Sequence, residues 1–261
     1  MDKTLIEKAA NVLWNAWKSG NVIAEIPEEC RPHDRQSAYQ IQQSVLALSG
    51  STRIGWKIAA TSKNGQKHIG VSGPLAGNLI ANRAFNSGDS FDIGANIMGV
   101  AEAEFCFRLA KDLPPLETKY SVEAVLDAVD TLHPAIEIPD SRYRDFVTAG
   151  EYQLIADNAC ASWFVLGAPT TINWKEVDLK KHQVTASVNG SIAEHGVGSN
   201  VLGDPCTALQ WIVNELSNTN IGLKSGEIIT TGTCVVPFDI TMGGNIEVDF
   251  GIFGSAKVVL K

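Results

Sequence analysis

No stretch of this sequence approaches the run of about 18 apolar residues that crossing a bilayer requires. Its opening, Met1-Asp2-Lys3-Thr4, lacks the apolar core of a secretion signal. Positive charge is also scarce: 21 Lys and Arg stand against 29 Asp and Glu, a formal net charge of −8. That balance argues against nucleic acid and anionic membranes as partners. The five cysteines (Cys30, Cys106, Cys160, Cys206, Cys234) are scattered, odd in number and without a C-x-x-C pair. They read as reduced thiols of a cytoplasmic protein, not as a disulfide frame or zinc site. Several catalytic signatures are missing too. Gly70-Val71-Ser72-Gly73-Pro74 fails as a G-x-S-x-G elbow at its last position, and no phosphate-binding loop, G-x-G-x-x-G or H-E-x-x-H is present. A serine nucleophile and a zinc site are therefore poorly supported.

With 44% hydrophobic and 19% charged residues over 261 positions, the chain can bury a sizeable core. No repeat, low-complexity tract or linker marks a second domain. The expected class is α+β, one catalytic unit with a helical segment over about residues 1–50 and a β-rich core over about 51–261. Helices are predicted over 4–19, stopped by Gly20, and over 35–48, capped by Asp34 and ended at Gly50. Residues 54–60 read as a strand, 62–69 as a short helix and 70–77 as a loop. The spacing of Val122, Val125, Leu126, Val129 and Leu132 predicts a helix over 121–132. A buried strand is expected over 159–166, a hairpin turn at Asn189-Gly190 and a helix opened by Asp204-Pro205. Strands over 227–233, 246–250 and 256–260 complete the chain.

The chemistry concentrates in Val100-Ala101-Glu102-Ala103-Glu104-Phe105. On a strand, Glu102 and Glu104 leave one face, and Ala101, Ala103, Phe105 and Phe107 leave the other. Two adjacent carboxylates in an apolar setting repel one another and call for a cation between them. His133-Pro134-Ala135-Ile136-Glu137-Ile138-Pro139 places a third carboxylate between isoleucines. Three oxygen ligands suit Mg²⁺ or Mn²⁺ better than a softer metal. The competing account is a half-exposed edge strand whose glutamates pair with Arg108; spacing alone leaves both open. Lys57, flanked by Trp56 and Ile58, is likewise either a snorkelling surface lysine or a cation held in a dry site.

Several segments bear jointly on the choice. They are Gly55-Trp56-Lys57-Ile58-Ala59 with Thr61-Ser62 and Gln66, Gly70-Val71, Pro74 with Gly77, the Ala101–Glu104 strand, Ile136-Glu137-Ile138, Ala156-Asp157-Asn158-Ala159, and Thr230-Thr231-Gly232-Thr233. In this order they resemble the 2-keto-4-pentenoate hydratase and 4-oxalocrotonate decarboxylase group of the fumarylacetoacetate hydrolase superfamily, from about residue 35 to the C-terminus. The resemblance implies a fumarylacetoacetase C-terminal-like mixed β-sheet roll or barrel. It also implies a Mg²⁺ or Mn²⁺ site on Glu102, Glu104 and Glu137, with Lys57 catalytic. The implied substrate is a 2-hydroxy-dienoate or 2-oxo-enoate, bordered by Thr61, Ser62, Gln66, Leu75, Cys160 and the Thr231-Gly232-Thr233 turn. The implied reaction is hydration to a 4-hydroxy-2-oxo acid, in a closed homo-oligomer or a complex with a paralogous enzyme. Two departures bear on that reaction. Pro74-Leu75-Ala76-Gly77 stands where such hydratases often read Pro-Asp-x-Gly, and Cys160 stands at a usual serine. With Asp140-Ser141-Arg142-Tyr143, the first departure favours the decarboxylase. A C–C hydrolase and a non-catalytic partner of an active paralogue are the remaining alternatives.

Overall fold

The computed structural model describes all 261 residues. Helix α1 spans Lys3–Ser19 and α2 Arg35–Ser49, followed by β1 (Arg53–Ala59), α3 (Lys63–His68) and β2 (Leu75–Ile80). Then come β3 (Ala84–Asn86), β4 (Ser90–Phe91), β5 (Val100–Leu109), α4 (Val122–Leu126), β6 (Val129–Ile138), α5 (Glu151–Ala156) and β7 (Trp163–Leu166). The rest is β8 (Gln183–Val188), β9 (Ser191–Val197), α6 (Pro205–Asn218), β10 (Ile228–Thr233), β11 (Phe238–Asp239), β12 (Asn245–Asp249) and β13 (Ser255–Leu260). The chemistry of the helix ends matches the sequence. The Asp2 and Asp34 side chains accept from the amides of Thr4 and Ser37, and Gly20 and Gly50 close α1 and α2 in the left-handed region. Asp204 caps α6, with Pro205 in its first turn.

One sheet runs β2-β1-β10-β5-β6-β7-β3, with β11 added to β5; the other runs β4-β13-β12-β8-β9. The end strands of the first sheet, β2 and β3, are joined by Ala81–Arg83 alone, so the sheet must roll back on itself. Its outer face joins the main core: Phe105 packs edge-on against Phe250 at 4.8 Å and Phe107 against Trp174 at 5.3 Å. The inner face carries Glu102, Glu104, Cys106 and Arg108 from β5, directly opposite Glu137, Ala135, His133 and Thr131 from β6.

Three segments differ from the sequence-based expectation. The helix over 121–132 stops at Leu126, and Val129 and Leu132 belong to β6, a ten-residue strand paired along β5. Val129 and Leu132, three apart, fit the helical period; they share a face of β6 only because the register shifts where Val129 pairs with Leu109, and the pairing decides in favour of the strand. The loop over 70–77 gives way at Leu75 to β2, all six of whose residues are buried. The strand over 159–166 begins only at Trp163, because Asn158, Ala159 and Cys160 all adopt left-handed φ, at 57°, 51° and 60°. At the hairpin, Asn189 (φ 53°) and Gly190 (φ 77°) take the conformation their sequence suggests.

Candidate active site

Strand β5 lies between β10 and β6, so it is a central strand, and this removes the edge-strand account of its glutamates. Glu102 sits in register with Glu137, and Glu104 is two residues along on the same face. The carboxylates of Glu102, Glu104 and Glu137 each bring an oxygen within 4.8 Å of the others. Glu104 and Glu137 are fully buried. Arg108 makes no ion pair with them; it points to the other end of the roll and donates to Gly226 O at 3.2 Å.

Lys57 enters from β1 and is 2% exposed, which excludes a snorkelling surface lysine. Its Nζ lies 2.9 Å from Glu137 Oε1 and donates to Ala159 O at 3.0 Å. One lysine faces three carboxylates, and the deficit shows in their hydrogen bonds. Glu104 Oε2 accepts from the Gly232 amide at 2.9 Å, but Glu104 Oε1 and both Glu137 oxygens have no aligned donor. Such orphaned buried acceptors are costly, and a hard cation bound by oxygen satisfies all of them together. The donor set fits that group.

Protonation follows the same imbalance. Burial, then the Glu137 charge, pushes the Glu102 carboxyl up to about 7, with Lys57 opposing. Burial and the two neighbouring glutamates hold Glu104 well above the usual carboxylate range. Burial alone would lower the Lys57 pKa, but the attraction of Glu137, then Glu102 and Glu104, outweighs it and keeps the ammonium charged. A metal bound by these carboxylates would have to displace protons. Metal affinity should rise with pH between about 5.5 and 8, with proton release on binding. For the metal-free protein the slope is opposite. A carboxyl pKa raised by folding contributes stability that is full below the unfolded value and is lost as pH climbs through about 7. Calorimetric titration in two buffers and melting curves across that range check both signs.

The other expected residues lie around this centre with unequal roles. Thr61 is 6% exposed and packs against the Gly232 backbone, where a side chain on Gly232 would come within 2.2 Å of Thr61 Oγ1. Ser62 caps α3 by accepting from the Gly65 amide at 3.0 Å, and Gln66 donates to Ala60 O at 3.0 Å. Both secure the turn after β1. Leu75 is buried and pairs with Ala59, two residues from Lys57. Thr231 Oγ1 donates to Phe105 O and Thr233 Oγ1 to Val235 O. The Gly232 amide is spent on Glu104, so that one donor of the turn orients a carboxylate of the triad. Burial pushes the Cys160 thiol up to about 12, which keeps it protonated.

The sequence reading passed over what aims Lys57. Gly77 pairs with Lys57 across β1 and β2, and a Cβ there would meet Asn158 O at 2.2 Å. Its bare backbone lets the left-handed turn close over the strand and bring Ala159 O to the ammonium. The Asn158 side chain holds the turn by pairing with both the amide and the carbonyl of Asn78, at 2.6 and 2.9 Å. Gln42 on α2 accepts from Asn78 Nδ2 at 2.9 Å and donates to Ala76 O at 2.8 Å. Behind it, Arg142 and Ser141 grip Asp157. In sequence, Gly77 and the Asp157-Asn158 run show only as parts of the family resemblance. Gly77→Ala should displace the turn and lower kcat by about tenfold or more, since small misplacements are expensive in catalysis. Metal affinity should be unchanged; a Gly77→Ala enzyme with normal kcat would show that the Ala159 contact is dispensable.

A rolled sheet enclosing a carboxylate triad and a charged lysine is the framework of a metal-dependent enzyme. Residues 84–260 match the family described as fumarylacetoacetate (FAA) hydrolase C-terminal. The chain is 31% identical over 259 residues to a 2-keto-4-pentenoate hydratase of Burkholderia vietnamiensis, covering 98% of this chain and 97% of that protein. It is 34% identical over 238 residues to a 2-hydroxyhexa-2,4-dienoate hydratase of Comamonas testosteroni, covering 89% and 88%. Among solved structures it is similar to 4-oxalocrotonate decarboxylase from Pseudomonas putida G7, complexed with magnesium and adipate. That match has a TM-score of 0.90 and 25% identity and covers 100% of this chain and 99% of that one. The chain belongs to the fumarylacetoacetate hydrolase C-terminal family, within its group of 2-keto-4-pentenoate hydratases and 4-oxalocrotonate decarboxylases.

Proposed function

We propose that the chain is a metal-dependent lyase that hydrates a 2-hydroxy-2,4-dienoate to a 4-hydroxy-2-oxo acid. The observation that carries this is the convergence of Glu102, Glu104 and Glu137 beside the charged Lys57 inside the roll. The three glutamates would hold Mg²⁺ or Mn²⁺, which when bound supplies a Lewis acid for the substrate's carboxylate and 2-oxygen. Lys57 does the protein's own share. Its ammonium spends one N–H on Ala159 O and leans on Glu137, leaving a further N–H for the substrate. Held charged, it acts as a proton donor or as a fixed positive charge where negative charge develops, not as a base. Leu75, Thr61, Cys160 and the 231–233 turn border the carbon chain, and Ser62 and Gln66 hold that border in place. The proposed setting is a cytoplasmic homo-oligomer, or a complex with a paralogous enzyme. Exposed Ile192, Val236 and Ile252, each more than 60% accessible, support an assembly. Light scattering checks it, and a lone 28.0 kDa species at micromolar concentration would contradict it.

Decarboxylation of a 2-oxo-3-hexenedioate is the second reading, favoured by Leu75 at the place of the acid and by the full-length structural match. Metal-loaded protein given 2-hydroxypenta-2,4-dienoate should bleach the dienol and yield the 4-hydroxy-2-oxo acid without CO₂. A persistent dienol with CO₂ released from 2-oxo-3-hexenedioate would replace hydratase with decarboxylase. No turnover of either by the pure homomer would leave the partner-subunit reading.

A further inference from the structure

The roll has a second end. Along the inner face of β5 the side chains run Glu102, Glu104, Cys106, Arg108, so the strand that begins with two carboxylates finishes with a guanidinium. Four residues of strand place Arg108 about 13 Å from Glu104. Between them a small apolar plug of Leu79, Cys106, Ala135, Phe164 and Ile228 fills the roll. Beyond the plug, a cavity of about 500 Å³ opens to solvent.

Its charges are unbalanced in the opposite sense to the metal end. Arg53, Arg108 and Lys224 line it with one carboxylate, Glu227. That carboxylate is already committed: Oε1 accepts from Arg53 Nε at 2.8 Å and Oε2 from the Lys224 amide at 2.9 Å. Lys224 Nζ reaches outward to Asp112 at 2.9 Å. Arg108 is left with no carboxylate partner and a single hydrogen bond, to Gly226 O. In a chain of net charge −8, an inward-facing, half-buried arginine without a counter-charge is unusual. The rest of the wall is mixed: Asn86, Ser225 and Gly226 are polar, and Ile54, Ala84 and Leu166, which pack on the plug, form an apolar side.

We propose that this end of the roll binds a small organic carboxylate, its head on Arg108 and its short apolar body against Ile54, Ala84 and Leu166. The guanidinium fork matches a carboxylate in two parallel hydrogen bonds. The cavity suits a body of a few carbons, and an inorganic ion would leave its apolar wall unused. The site is separate from the metal centre and does not depend on which reaction that centre performs.

The test uses the full-length protein stripped of metal, so that the other end offers a carboxylate no metal to bind, with hexanoate as the probe. Hexanoate should raise the melting temperature saturably. Arg108→Met, which keeps the stem, should weaken the apparent affinity by about tenfold or more, the scale of one charge-assisted pair. Asn86→Glu, at the exposed rim, should weaken it without removing any interior group. Both metal-reloaded variants should turn substrate over within about twofold of wild type. Absence of saturable binding, or unchanged binding to both variants, would overturn the proposal. Inorganic phosphate protecting as well as hexanoate would overturn the carboxylate assignment.

Discussion

Lys57→Met should lower kcat by about 10²-fold or more, the scale of losing one positioned acid or electrostatic group. It should also destabilise the metal-free protein. Removing an isolated buried charge often stabilises a fold, but Lys57 is not isolated: it is 2% exposed and lies 2.9 Å from Glu137. Taking away one partner of a buried pair costs about 3–5 kcal/mol, because the other is left uncompensated. Here three carboxylates would be left. Metal should recover much of that loss, since it supplies the missing positive charge, yet it should not recover turnover. A Lys57→Met protein that turns over normally would make the lysine a structural counter-ion.

Glu104→Gln should push stability the other way. It keeps the side chain's shape and removes a carboxylate whose ionised form burial and neighbouring charge disfavour. The metal-free variant should melt no lower than wild type, and higher above about pH 7, where the wild-type carboxylates repel one another most. Metal affinity should fall by at least about 10²-fold, because loss of a mere outer partner of a ligand already costs 10–100-fold. Activity should fall with it. The two variants thus separate the roles: one loses chemistry and metal-free stability, the other metal. A Glu104→Gln protein that binds Mn²⁺ as wild type does would exclude Glu104 from the centre.

The parts of this site that a short sequence motif can encode were legible. Alternation along Val100–Phe105 placed two carboxylates on one face, and the caps at Asp34 and Asp204 marked where α2 and α6 start. The third carboxylate needed the sheet, since only register sets Glu137 against Glu102. Strand β2 was hidden because Leu75–Ile80 is buried on both faces and so shows no alternation, and Gly77 looked like a loop residue. Its lack of a side chain serves instead to admit the turn that carries Ala159 O. That turn was unreadable for another reason. Three successive non-glycine residues in the left-handed region contradict local preference, and contacts distant in sequence, from Asn78, Lys57 and the Asp140 amide, hold them there. Helix α4 is shorter than its sequence suggests because Val129 and Leu132 keep the helical spacing, and only an irregularity in the β5–β6 pairing puts both on one face of a strand.

The central claim is that Lys57 and a metal held by the three glutamates stabilise the negative charge that develops when a proton leaves the carbon beside a 2-oxo group. The most direct measurement uses 2-oxopentanoate, a saturated acid that can be neither hydrated nor decarboxylated at a distant carboxylate. In D₂O with magnesium, wild-type protein should exchange its C3 protons for deuterium well above the rate with magnesium alone. Lys57→Met and Glu104→Gln should return exchange to that background. Exchange no faster with wild-type protein than with magnesium alone would contradict the account.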